Sequence, residues 1–89
     1  MTRHFKTTIM QQEPTPFFKA QEIFLMFFEQ IPDYVDRVTA EVIAKENALN
    51  SVRLMLDELN PRYWGSENEK AITRYNYYTE VEDQLELFP

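Results

Sequence analysis

The sequence predicts an all-α domain, a three-helix bundle-like body with one long central helix and an irregular N-terminal arm. Three observations carry that expectation. From Asp33 to Asn60 the apolar residues Val35, Val38, Val42, Leu49, Val52, Leu56 and Leu59 recur at the alternating three-and-four spacing of a helix with one buried face. A single glycine, Gly65, leaves tight hairpins without support. The 44% hydrophobic and 15% aromatic content is ample for a packed core in a chain of 89 residues. A single domain of this size buries about 60% of the surface its unfolded chain exposes.

Taken in order, Met1 to Gln12 has no helical period. Phe5, Thr7 and Ile9 alternate with Lys6 and Thr8, which leaves open a short extended piece over the core or a frayed terminus. Glu13-Pro14-Thr15-Pro16 reads as a stop followed by a start, with Thr15 as N-cap and Pro16 at the first helical position. The first helix, Pro16 to about Gln30, is apolar nearly all round, through Phe17, Phe18, Ile23, Phe24, Leu25, Met26, Phe27 and Phe28. A helix without a polar face is buried on most sides or faces a partner chain, so self-association into a two-fold dimer through this helix is expected.

The central helix is expected over Tyr34–Leu59, with Asp33 as its N-cap and a stop at Asn60 before Pro61. At 1.5 Å per residue it would span roughly 40 Å. Ala48 and Met55 widen its apolar stripe, and Lys45 interrupts it, its stem able to lie over apolar surface while its charge stays in water. Arg62-Tyr63-Trp64-Gly65 reads as a connector in which Gly65 permits a sharp reversal and Trp64 plugs the end of the core. Ser66 as N-cap and Glu69 reaching back form a capping box. The third helix is expected over Glu67–Asp83, with Ala71, Tyr75, Tyr78 and Val81 along its inner face.

Composition limits the chemistry. The net charge is −6, from nine basic and fifteen acidic residues, which disfavours direct nucleic-acid binding through phosphate neutralisation. A solvated acidic surface explains the excess, with imitation of phosphate spacing by an acidic inhibitor as the alternative. The one histidine, His4, has no cysteine or second histidine to share a metal, and no Gly-rich phosphate loop exists. No cofactor, no metal and no enzyme activity are expected. The start lacks the apolar core of a signal peptide, and the run Ile23–Phe28 falls far short of the roughly 20 residues that cross a bilayer, so a cytoplasmic protein without membrane contact is expected.

The last residues carry the sharpest pointer to function. Gln84-Leu85-Glu86-Leu87-Phe88 resembles the pentapeptide by which bacterial replication and repair proteins bind the β sliding clamp: Gln, Leu, a small or acidic residue, Leu, Phe. Gln84, Leu85, Leu87 and Phe88 match the four specified positions, and Glu86 stands where Ser or Asp is usual. By average residue usage these identities at fixed spacing arise by chance in on the order of one chain in a thousand of this length. The resemblance covers five residues and implies a binding mode only: an extended peptide, often at a chain terminus, docked in a hydrophobic cleft of the clamp. It implies a non-enzymatic adaptor or inhibitor at the replication clamp, of the kind that small phage and plasmid genes encode. A competing reading stands beside it, because Tyr78, Val81, Leu85 and Phe88 continue the helical spacing. On that reading the tail is core, Leu87 points outward, and the chain is a helical homodimeric interaction module.

Overall fold

The computed structural model describes residues 14–60 and 68–89. They form three helices, α1 (Pro16–Glu29), α2 (Arg37–Glu58) and α3 (Glu69–Glu86), each packed on the other two, with no strand among the described residues. The N-terminal arm, the connector at Arg62–Gly65 and the cap expected at Ser66 lie outside the described residues.

Local chemistry sets each helix start. Thr15 caps α1 as the sequence predicts, its hydroxyl accepting from the Phe18 amide at 3.4 Å, with Pro16 in the first turn where its missing N–H is not needed. The start of α2 differs from expectation. Asp36, not Asp33, is the N-cap, accepting from the Thr39 amide at 3.2 Å. Residues 30–35 are spent reversing the chain instead, with the Val35 amide donating to the Pro32 carbonyl at 3.1 Å. Two aspartates offered the same cap chemistry, and the room needed for the reversal selected the later one. At α3 the cap is Asn68, whose side chain accepts from the Ala71 amide at 3.1 Å. Glu69 lies in the first turn, where its charge favours the positive helix end.

The helices alternate in direction. Lys45 of α2 reaches Glu86 and Phe88, whereas Arg53 reaches Glu82 and Glu86, so α2 and α3 run antiparallel. Tyr77 touches Pro14 and Phe24 touches Phe88, so α1 and α3 run parallel. The core joins Ala20 and Ile23 of α1, Ala48, Leu49 and Val52 of α2, and Tyr78, Val81 and Leu85 of α3. Phe24, Phe27, Met55, Leu56 and Leu59 pack around it.

The buried face of α2 departs from the predicted stripe in its first turns. Val38 is 71% exposed and Val42 is also exposed, while Ala40, Ala44 and Ala48 are buried. Lys45, which separates the exposed part of this stripe from the buried part, meets Glu86 and Phe88 at the end of α3. The buried alanines recur every fourth residue, a row of small side chains that lets a neighbouring helix approach closely. Beyond Lys45 the expected residues Leu49, Val52, Leu56 and Leu59 do face inward.

Candidate protein-binding surfaces

The first candidate surface is the segment that resembles the clamp peptide. Helix α3 runs past the expected stop at Asp83, through Gln84 and Leu85 to Glu86. Leu85 is fully buried (0% exposed) and is among the three largest side chains so enclosed. Phe88 packs against the core with its ring edge-on to Phe24, centroids 5.1 Å apart. Leu87, by contrast, is 76% exposed, and Gln84 is half-buried. The four residues therefore divide: Leu85 and Phe88 face inward, Leu87 faces out, and Gln84 lies at the rim. An extended peptide would present these side chains on a quite different set of directions from this helical turn.

Two cations hold the turn against α2. Lys45 donates from Nζ to the carbonyl oxygens of Glu86 at 3.1 Å and Phe88 at 2.7 Å, groups that a helix end leaves without internal partners. The sequence reading left the Lys45 charge in water; the fold brings it to the negative end of α3 instead. Arg53 forks between Glu82 and Glu86, at 2.8 Å to each. Its hydrogen bond to Glu82, with the charges of both carboxylates, holds the guanidinium pKa above its usual value. Leu87 and Phe88 also donate backbone hydrogen bonds to Gln84 and Leu85, at 3.2 and 3.1 Å.

The second surface is the outer half of α1. Ala20, Ile23, Phe24 and Phe27 turn toward the other helices, while Phe18, Leu25 and Met26 are 49–60% exposed on the opposite side; Phe17, in line with Phe24 but in the first turn, is 46% exposed. That division explains why the helix is apolar all round. Lys19 and Glu22 form an ion pair at 3.0 Å beside this face, and the hydrogen bond raises the Lys19 pKa.

Other concavities are open. A surface cleft of about 580 Å³ lies at the α1–α2 reversal, lined by Phe28, Ile31, Pro32, Val35, Arg37 and Ala40 among others. A smaller groove of about 290 Å³ is bounded by Gln21, Phe24, Leu25 and Phe88. Among the described residues no group of three or more His, Cys, Asp or Glu side chains is placed to hold a metal ion, and no helix is long and apolar enough to cross a membrane. His4 lies outside those residues.

The described residues form an all-α body of three mutually packed helices. No family model, no curated protein and no solved structure matches the chain.

Proposed function

We propose that this chain is a non-enzymatic protein-interaction module, a three-helix body whose last helical turn belongs to the core and whose working surface is the outer half of α1. The observation that carries this reading is the division of labour within two segments. Leu85 and Phe88 are packed inward, whereas Phe18, Leu25 and Met26 lie outward on a helix whose other side is already satisfied. Exposed apolar residues gathered on one face, rather than scattered singly, mark surfaces for protein partners. The test compares the 89-residue chain with a version ending at Asp83 in thermal unfolding. Loss of two packed large side chains should lower the melting temperature sharply; unchanged melting would refute the tail as core.

A second reading, binding of the bacterial β sliding clamp, is supported by the four identities at Gln84, Leu85, Leu87 and Phe88 and by the outward position of Leu87. Extended docking would require the turn to leave α2 and α3, breaking both Lys45 contacts and taking Leu85 out of the core. A fold that must open before it binds reduces apparent affinity by its open fraction. On this reading a free Gln84–Pro89 peptide binds the clamp about a hundredfold or more tighter than the intact chain, a penalty set by the buried side chains released. Titration of the clamp with both ligands decides it: a peptide that does not bind removes the clamp from consideration.

A further inference from the structure

We propose that residues 87–89 form a strap, latched by Lys45, that covers the middle of an aromatic stripe on α1 and enlarges the working surface of that helix when it opens. This rests on the reading of α1 as the working surface and adds how its extent is regulated. Spacing sets the stripe. Phe17, Gln21, Phe24 and Phe28 stand four, three and four residues apart, so they share one side of α1. Phe24 and Phe28 stack, with ring centroids 5.9 Å apart, and Phe17 is exposed at the far end. The groove bounded by Gln21, Phe24 and Leu25 has Phe88 as its remaining wall. One ring from beyond α3 therefore sits where the stripe meets the exposed Leu25.

The attachment of this strap is thin. Leu85 is wholly enclosed by the core, yet Leu87 is 76% exposed. Arg53 holds the Glu86 carboxylate at 2.8 Å, which fixes the end of α3. Past that point four ties remain. The Leu87 and Phe88 amides donate to the Gln84 and Leu85 carbonyls, the Phe88 ring meets Phe24 edge-on, and Lys45 donates to the Phe88 carbonyl. Only the last involves a charge, and such hydrogen bonds are roughly twice as strong as neutral ones. Lys45 also spans the hinge, with one hydrogen bond to Glu86 on the fixed side and the shorter one to Phe88 on the moving side.

A segment with few buried apolar contacts and exposed backbone hydrogen bonds opens locally, at a lower free energy than the whole fold. Opening the strap leaves Leu85 in the core and Glu86 on Arg53, unlike the extended docking of Gln84 to Phe88. It uncovers Phe24, and the stripe then joins the outer face at Leu25. Phe88 thus acts as an autoinhibitory contact, and Lys45 is the positioning residue that keeps it closed.

Amide exchange and the apolar dye anilinonaphthalene sulfonate test this on the 89-residue chain. Exchange at Leu87 and Phe88 should depend little on urea, whereas Val52 and Val81 should exchange with the steep slope of global unfolding. Lys45→Met should raise the opening constant of the strap about ten- to a hundredfold, the loss of one charged hydrogen bond. Lys45→Met and Phe88→Ala should each increase dye fluorescence while helical circular dichroism is unchanged. The double variant should bind no more dye than Phe88→Ala, because both changes uncover the same ring. Strap amides that follow the urea slope of Val81, opening that ignores Lys45→Met, or additive dye binding in the double variant would each overturn the inference. The interaction-module reading fails on a different result, unchanged melting of the chain that ends at Asp83.

Discussion

Lys45 Nζ stands 2.7 Å from the carbonyl oxygen of Phe88, 43 residues away in the sequence. This contact, with its companion to Glu86, ties the middle of α2 to the end of α3. A cation at the negative end of a helix satisfies carbonyls that would otherwise rely on water.

Replacing Lys45 should therefore cost more than a surface lysine normally does. We expect Lys45→Ala to lower unfolding free energy by about 1.5–3 kcal/mol, the range for hydrogen bonds that involve a charged group. Lys45→Met separates the two contributions, since it keeps the apolar stem and removes the donor. Urea titration checks this through the midpoint at constant slope. A Lys45→Met chain as stable as the original would show that the carbonyl contacts add nothing.

Neighbouring leucines should respond very differently. Leu85→Ala empties a fully buried position and should cost about 2–5 kcal/mol, whereas Leu87→Ala removes an exposed side chain and should stay within about 0.5 kcal/mol. Chemical denaturation of the two single variants measures the contrast. Equal effects would mean that the last turn of α3 is not packed as described.

Along α2 the order of sensitivity should invert the order of side-chain size. Val42→Ser changes an exposed residue and is expected to be nearly neutral, while Ala44→Leu forces volume into a closed helix contact and should cost about 1–3 kcal/mol. Thermal melts of both variants provide the check. A tolerated Ala44→Leu would contradict the close approach at the alanine row.

Acid should remove the cap of α2. Hydrogen bonds from the Thr39 side chain and backbone amide hold the Asp36 pKa below its ordinary value of 3.8. A depressed folded value means that the cap stabilises the fold above the unfolded pKa and loses that contribution as pH falls through the folded one. Asp36→Ala should therefore lower the melting temperature at pH 7, with the difference shrinking as pH falls below 3.8 and the native carboxylate protonates. Asp36→Asn, a cap that does not titrate, should melt like the original chain at neutral pH. A deficit in Asp36→Ala that persists undiminished in acid would count against an ionised cap.

The exposed fork of Arg53 to Glu82 and Glu86 should be sensitive to salt. Arg53→Ala should lower the melting temperature in dilute buffer, and the difference should narrow at about 1 M NaCl, where the Debye length is near 3 Å. Paired melts at the two ionic strengths test it.

Much of the architecture was legible in the residues themselves. The helical class, the Thr15-Pro16 start and the inward side of Ala71, Tyr78 and Val81 follow from caps and periodicity, which act over a few residues and need no knowledge of the partner helix. The same locality explains the misplaced start of α2: Asp33 and Asp36 are equivalent as caps until the length of the connection is known. The signal for the alanine row at 40, 44 and 48 was present as a four-residue repeat, but a reading weighted by hydrophobic size takes only Ala48 from it and favours Val38 and Val42 over Ala40 and Ala44.

By itself the sequence determined that the described residues are helical, that the first of their helices has more apolar surface than a single neighbour can cover, and that Gln84 to Phe88 fits two incompatible conformations. Only the tertiary structure decided which faces are buried and which conformation the last turn takes in this fold. The physical reason is reach. Helix formation and capping are settled within a turn or two, whereas burial depends on where a distant helix ends. Lys45 meets such a distant end, at Glu86 and Phe88, across the bundle.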